Sequence, residues 1–123
     1  MKIIIFGEDH RDISEVKEIS EKIKKIKPDY ILHELLYNDI CLNKKEIKNR
    51  LNNCKEGNYC DPRLNKDIYE LGYEENIPLI GIDLDLKNLQ KLSIRKQFEK
   101  REKNMVKKIN QYKNKGTIVV FRL

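Results

Sequence analysis

A chain of 123 residues supports one hydrophobic core of ordinary size, so we predict a single domain over residues 1–123. Hydrophobic residues make up 39% and charged residues 37% of the sequence, which is typical of a globular protein with a well-solvated surface. The apolar runs are shorter than the roughly 18–20 residues of a membrane span, and residues 3–6 are too few for a signal-peptide core. We therefore expect a cytoplasmic protein without a membrane partner.

The charge is basic, with 26 Lys and Arg against 20 Asp and Glu and a formal net charge of +6. Such an excess suits contact with a polyanion, and we expect any nucleic-acid binding to be weak, non-specific and sensitive to salt. The alternative is a compositional bias, since Lys carries most of the excess among many Ile and Asn residues.

The three cysteines, Cys41, Cys54 and Cys60, do not suggest a disulfide framework in a chain with this expected compartment. Cys54 and Cys60 are further apart than the paired ligands of most zinc sites. We expect free thiols, with a structural metal as the less favoured alternative.

The first third of the chain predicts a strand, a helix and a second strand. Residues 2–6 are a continuous β-branched and aromatic run, and residues 30–33 form another after a Pro28–Asp29 break. Between them, Asp12 or Ser14 can cap a helix whose apolar positions recur every three or four residues. These positions are Ile13, Val16, Ile19, Ile23 and Ile26.

The rest of the chain adds three helices and two strands. We predict helices near 43–54, from Asp61–Pro62 onward, and over 94–113, with strands at 79–83 and 117–121. The inward-facing positions of the last helix are Ile94, Phe98, Met105, Ile109 and Tyr112. The order β-α-β-α-α-β-α-β predicts an α/β fold: a mainly parallel four-stranded sheet with helices on both faces. Its first two strands should be adjacent and central.

Reactive residue types fall where the predicted parallel strands end. Ligands of open parallel sheets bind beyond these carboxyl ends, so Glu8, His10, Glu34 and Asp83 are candidates for one shared cleft. Glu8 and His10 alternatively belong to a helix cap and a solvated loop. His33 and Glu34 should point to opposite faces of a strand. We favour Glu34 for the site and expect His33 to be a packed or hydrogen-bonded residue under a helix.

Two further polar positions bear on this cleft. Asp85 is another candidate, although it also resembles an ordinary helix entrance. Arg101 lies three residues after Phe98 and four before Met105, on the inner side of the last helix. An inward arginine needs an anionic partner, which Glu34, Asp83 or a substrate carboxylate or phosphate would supply.

An ordered series of motifs resembles the superfamily of TraB/Tiki-like, ChaN-like and erythromycin-esterase-like proteins. Gly7-Glu8-Asp9-His10 resembles the first G-x-x-H motif, and Lys27-Pro28-Asp29 followed by a strand ending in Glu34 resembles its next element. Residues 77–83 and 117–121 resemble later strands of the family. Arg101, Glu102 and Met105 resemble positions on one of its helices. The family's second G-x-x-H does not follow the last strand here. Either residues 1–123 are the N-terminal part of a larger domain, or this member works without the second histidine.

The resemblance implies a hydrolase-type domain, of the peptidase or esterase class, that depends on a divalent metal such as Mn²⁺, Co²⁺ or Zn²⁺. His10 would be a metal ligand, Glu8 or Glu34 a second ligand or general base, and Arg101 the group that orients or polarises a small-molecule or peptide substrate, with Asp83 also binding substrate. The alternative is a non-catalytic protein that binds an anionic ligand or nucleic acid through the cleft or the basic helix.

Overall fold

The computed structural model describes residues 2–7, 13–37, 40–55, 66–84, 87 and 89–122. These residues form nine elements in an α/β arrangement, as the sequence predicts. In chain order the elements are β1 (Ile3–Gly7), α1 (Ile13–Ile26), β2 (Tyr30–Tyr37), β3 (Cys41–Leu42), α2 (Lys44–Lys55), α3 (Lys66–Glu74), β4 (Leu79–Asp83), α4 (Ile94–Tyr112) and β5 (Ile118–Arg122).

Within the described residues the sheet has five strands in the order β1-β5-β2-β4-β3, one more than predicted. The pairs β1–β5, β5–β2 and β2–β4 are parallel, and the two-residue strand β3 is antiparallel to β4. The prediction that β1 and β2 are adjacent central strands is wrong, because β5 lies between them and β1 is an edge strand in the part of the sheet that the structure describes.

The burial of the two strands explains this correction. Residues 118–121 of β5 are at most 1% exposed, whereas Ile3 and Ile5 of β1 are 44% and 56% exposed. Ile4 and Phe6 pack against the core, so one face of β1 is covered and the other is not. A continuous apolar run predicts a strand, but it does not give the strand's position in the sheet.

Helices cover both faces of the sheet, as expected. The core on one face combines side chains from α1, α2 and α3, such as Ile23, Ile47 and Leu71, with Val119 and Phe121 of β5. The core on the other face lies under α4. Its buried members are Leu32, Ile80, Ile82, Met105, Ile118 and Val120.

Local sequence signals set the helix ends. Asn43 and Glu46 form a reciprocal cap at the start of α2, in which the Glu46 N–H donates to Asn43 Oδ1 at 2.9 Å. Ser93 caps α4 by accepting from the Lys96 N–H at 3.3 Å. Helix α1 ends at Ile26, and the next residue, Lys27, has a φ of 52° that turns the chain toward Pro28 and β2.

A glycine with positive φ controls the entry into β5. Gly116 has a φ of 143°, and a Cβ at this position would clash with the carboxylate of Asp29. Oδ2 of this carboxylate accepts the Thr117 N–H at 2.8 Å, and the Asp29 N–H donates to the Thr117 carbonyl at 2.8 Å. Gly116 therefore lets the loop after α4 meet the start of β2 closely enough for β5 to insert beside it.

Several predicted features lie outside the described residues. These are the helix starts at Asp12 and Asp61–Pro62, the candidate site residues Glu8, His10 and Asp85, and Cys60. The predicted helix at 43–54 is confirmed as α2, and that at 94–113 as α4.

Candidate functional site

The candidate site lies at the carboxyl ends of β2 and β4. These strands are parallel neighbours, so their carboxyl ends meet at one edge of the sheet. Asp83 is the last residue of β4, and Glu34 lies in the second half of β2. The topology thus brings together two of the four residues for which we predicted one cleft.

An irregularity in the pairing of β2 with β4 determines the position of Glu34. His33 is paired with Gly81 and Tyr37 with Asp83, so three residues of β2 lie opposite the single residue Ile82. Bulges of this kind redirect side chains near functional sites. Glu34 lies at the start of this bulge and is partly exposed on the side of the sheet covered by α4.

His33 points to the opposite face. The residue is 4% exposed, and its ring stacks on that of Phe121, with ring centroids 5.2 Å apart and an interplanar angle of 26°. Phe121 belongs to the core under α1, α2 and α3. The prediction that His33 is a packed residue under a helix is therefore confirmed.

Arg101 pairs with Asp83 through two hydrogen bonds. Its Nε donates to Oδ1 at 2.8 Å, and its Nη2 donates to Oδ2 at 3.0 Å. Oδ1 also accepts the Leu84 N–H at 2.9 Å, and Asp83 is 3% exposed. This bidentate geometry is the strong form of an arginine–carboxylate pair. The prediction that Arg101 has an acidic partner is confirmed, and the partner is Asp83.

The electrostatic surroundings of Arg101 connect this pair to Glu34. The pKa of Arg101 is raised above its usual value, first by the hydrogen bonds to Asp83 and then by the negative charges of Asp83, Glu34 and Glu102. Partial burial of Arg101 opposes this effect. Three carboxylates therefore act on one guanidinium at this edge of the sheet.

A cavity of about 210 Å³ opens beside Arg101, and we call it the β2–α4 cleft. Glu34 of β2 lines one side, and Phe98, Arg101 and Glu102 of α4 line the other. Asn104 adds a link between helix and sheet, because its Nδ2 donates to the Ile82 carbonyl at 3.0 Å. This bond lies on the buried side of α4 and fixes the helix against β4.

Phe98 and Glu102 are the site residues that reasoning from residue spacing missed. We predicted that Phe98 faces the core, yet its side chain is 61% exposed and lines the cleft. Ile94, predicted to face inward as well, is 84% exposed. Glu102 lies four residues after Phe98, on the same side of the helix. This i,i+4 spacing was the available signal for its place in the site.

Two other cavities lie among the helices on the opposite face. One, of about 230 Å³, is lined by α1 and α3, and the other, of about 340 Å³, by α2 and α3. Both cavities share Glu70 and Glu74 among their lining residues. We place the candidate site at the smaller β2–α4 cleft because it adjoins the strand ends and a buried, charge-paired side chain.

The residues around the cleft give limited support to a metal. Both carboxylate oxygens of Asp83 accept hydrogen bonds from Arg101, so Asp83 is a poor metal ligand. Among the described residues, no three His, Cys, Asp or Glu side chains lie together as a metal site would require. The predicted ligands Glu8 and His10 are outside that part of the chain. Cys41 is an exposed free thiol.

The basic side chains of α4 lie mainly in solvent. Lys96, Lys100, Lys103 and Lys107 are exposed, and Arg95 forms an ion pair with Glu99 at 3.4 Å. None of the helices that the structure describes is long and apolar enough to cross a membrane.

Comparisons with protein-family models, with curated proteins and with solved structures found no match.

Proposed function

We propose that this chain is a TraB/Tiki-like hydrolase-type domain and that the β2–α4 cleft is its reaction site. The observation that carries the proposal is the bidentate Arg101–Asp83 pair beside Glu34, at the edge of the sheet where α/β proteins bind ligands. The motif resemblance separately implies roles for Glu34 and Arg101 in the reaction.

Arg101 acts on the substrate in this proposal, and Asp83 positions it. A guanidinium has five N–H donors, and the two bonds to Asp83 use two of them. The remaining donors can polarise a substrate carbonyl or stabilise the negative charge that develops on its oxygen. Because Asp83 is buried and engaged, its role is to hold the guanidinium plane rather than to contact substrate.

Glu34 is the proposed general base. Its carboxylate faces the cleft from β2, opposite Arg101, which is the relative placement needed to take a proton from an attacking water. The proposed divalent metal, held by His10 and Glu8 with Glu34 as the alternative second ligand, would activate water and polarise the carbonyl. The proposed compartment is the cytoplasm.

Hydrolysis of simple chromogenic substrates tests this proposal. We expect wild type to hydrolyse p-nitrophenyl esters or a p-nitroanilide peptide with added Mn²⁺, Co²⁺ or Zn²⁺, and Glu34→Gln to lower kcat by about 100-fold or more, as expected for loss of a general base. Glu99→Gln is the matched control, since Glu99 is exposed on α4 and pairs with Arg95. Equal activity of Glu34→Gln and wild type would contradict the role of Glu34.

Metal binding is tested separately by titration calorimetry. We expect weak binding of Mn²⁺, Co²⁺ or Zn²⁺ that His10→Ala abolishes and His33→Ala retains, since His33 is packed against Phe121 on the other face. The affinity should fall as the pH drops through the range of an unperturbed imidazole, about 6.5, because a metal ligand must be deprotonated. Equal binding by wild type and His10→Ala removes the metal from the proposal.

The alternative is a non-catalytic binding protein, and the observation in its support is the set of exposed lysines on α4. It predicts no turnover under any metal condition, together with nucleic-acid binding that weakens steeply as salt rises. Tight binding at high salt would instead identify a dedicated recognition surface.

A further inference from the structure

The β2–α4 cleft carries negative charge once the pairing of Arg101 is considered. Glu34 and Glu102 line the cleft, and Asp83 lies directly behind Arg101. Three carboxylates and one guanidinium give these four residues a formal charge of −2. A carboxylate or phosphate ligand would be repelled by Glu34 and Glu102, whereas a cation would be attracted by both.

An exposed aromatic ring forms the outer wall of the same cleft. Phe98 is 61% exposed although aromatic side chains are usually covered, and Ile94 continues the apolar surface one turn earlier. Phe98 and Glu102 are four residues apart, so the ring and the carboxylate lie side by side on α4. An aromatic face beside a carboxylate is an arrangement that binds an ammonium or guanidinium group through cation–π and ionic attraction.

The size of the cleft limits the ligand. Its volume of about 210 Å³ is below the roughly 300–1,000 Å³ of sites for drug-sized molecules, so it accommodates one side chain or a short alkyl chain. The apolar surface of Phe98 suits the methylene stem of such a group, and the carboxylates suit its charged end.

We infer that the β2–α4 cleft recognises an organic cation on an apolar stem, as in the lysine or arginine side chain of a peptide. Phe98 contacts the stem and the cationic group, and Glu102 attracts its charge. The inference rests on the proposed function for the identity of the site and adds the substrate class: a substrate that carries a basic group next to the bond that is cleaved. Phe98 and Glu102 determine specificity, whereas Glu34 and Arg101 act on the reacting atoms.

Binding of three matched probes tests the inference directly. The probes are n-pentylammonium, 1-pentanol and pentanoate, which share an alkyl chain and differ in charge. We expect wild type to bind n-pentylammonium at least tenfold more tightly than 1-pentanol, and pentanoate more weakly than either, in titrations followed by NMR chemical shifts. The largest amide shifts should cluster around residues 98–102. Equal affinities for the three probes, or shifts elsewhere, overturn the inference.

Variants of the two specificity residues sharpen the test. Glu102→Gln should weaken n-pentylammonium binding about fivefold and leave 1-pentanol unchanged, because it removes charge and keeps shape. Phe98→Leu should weaken it about threefold or more, because it keeps apolar surface and removes the ring. Glu99→Gln removes an equal charge from the same helix outside the cleft and should have no effect. If Glu99→Gln and Glu102→Gln act alike, the attraction is a general surface effect and the inference fails.

This test separates the inference from the hydrolase proposal. Wild type that binds n-pentylammonium selectively but hydrolyses no ester or peptide supports the inference and refutes the enzyme. Wild type that hydrolyses neutral and cationic esters equally, and binds the three probes alike, supports the enzyme and overturns the inference.

Discussion

Helix α4 has two halves with the same apolar periodicity and different surroundings. In the second half, Met105 is 3% exposed, and Ile109 and Tyr112 pack against the core. In the first half, Ile94 and Phe98 occupy equivalent positions but are 84% and 61% exposed. The first half borders the candidate site, and the second half stabilises the fold.

The lengths of the elements explain the difference. Helix α4 has 19 residues and extends roughly 28 Å, whereas the five residues of β4 extend roughly 17 Å. A helix that joins two parallel strands runs antiparallel to them, so its N-terminal turns project past their carboxyl ends. The first two turns of α4 therefore extend beyond the end of β4, and this overhang leaves Phe98 mostly exposed. Phe98 lines the cleft together with Glu34 of the longer strand β2.

The largest expected effect on stability is at Arg101, which lies at the boundary between the two halves of α4. Arg101→Ala should lower the free energy of unfolding by about 3 kcal/mol, because it leaves the buried carboxylate of Asp83 without its partner. The value is at the low end for such pairs since Arg101 is 29% exposed. Arg95→Ala, at a side chain that is 90% exposed, should change it by less than about 0.5 kcal/mol in the same urea titration. Equal effects of the two substitutions would show that the Asp83 pair adds no more than a surface one.

The second prediction compares matched apolar positions of the two halves. Met105→Ala should destabilise by about 2.5 kcal/mol, because it leaves a cavity between α4 and the sheet. Phe98→Ala removes a larger side chain but should cost less than about 1 kcal/mol, since that side chain is mostly in solvent already. Urea unfolding of both variants measures the difference. A cost at Phe98 equal to that at Met105 would mean that the first half is covered in solution.

The third prediction concerns the hydrogen bond that fixes the packed half to β4. Asn104→Ala removes the donor to the Ile82 carbonyl but also replaces Asn with the best helix former. Asn110→Ala provides the control, because Asn110 is exposed on the same helix. Its replacement also raises the helix propensity, but it does not remove the hydrogen bond to Ile82. We expect Asn104→Ala to be about 1 kcal/mol less stable than Asn110→Ala, the usual net contribution of such a bond. No difference between them would show that the bond does not contribute.

The sequence predicts the fold class and most element positions, since these depend on local periodicity. Strand order depends on which strand is buried most completely, and the apolar runs of β1 and β5 look alike although their burial differs. The two-residue strand β3 was missed because its pairing with β4 is a tertiary contact without a local pattern.

The candidate site, like the fold, could be predicted only in part from the sequence. The meeting of Asp83, at the end of β4, with Glu34, in the second half of the neighbouring strand β2, follows from the parallel topology. The charge of Arg101 requires an acidic partner. The bulge that aims Glu34 and the overhang that exposes Phe98 arise from the relative lengths and registers of packed elements. Comparing the lengths of the predicted helix and strands would have revealed the overhang from sequence alone.

The smallest expected effect is the pH dependence of the packed half at Tyr112. Burial raises the pKa of Tyr112 above 10.0, and the neighbouring Cys41 and Tyr30 raise it further. The folded state therefore favours the neutral phenol. The contribution of Tyr112 to the free energy of unfolding is complete below pH 10.0 and is lost as the pH rises through the raised pKa. Between pH 9 and 11 the urea midpoint of wild type should fall more steeply than that of Tyr112→Phe, which has no phenol to ionise. Cys41→Ser should give an intermediate slope, because it removes one source of negative charge but leaves the burial, which is the largest cause.

The Lys115 ammonium lies 4.7 Å from the Tyr112 ring centroid and is common to all three proteins. Parallel slopes for wild type and Tyr112→Phe would show that the C-terminal turn of α4 is more accessible to water than its contacts with Tyr30 indicate.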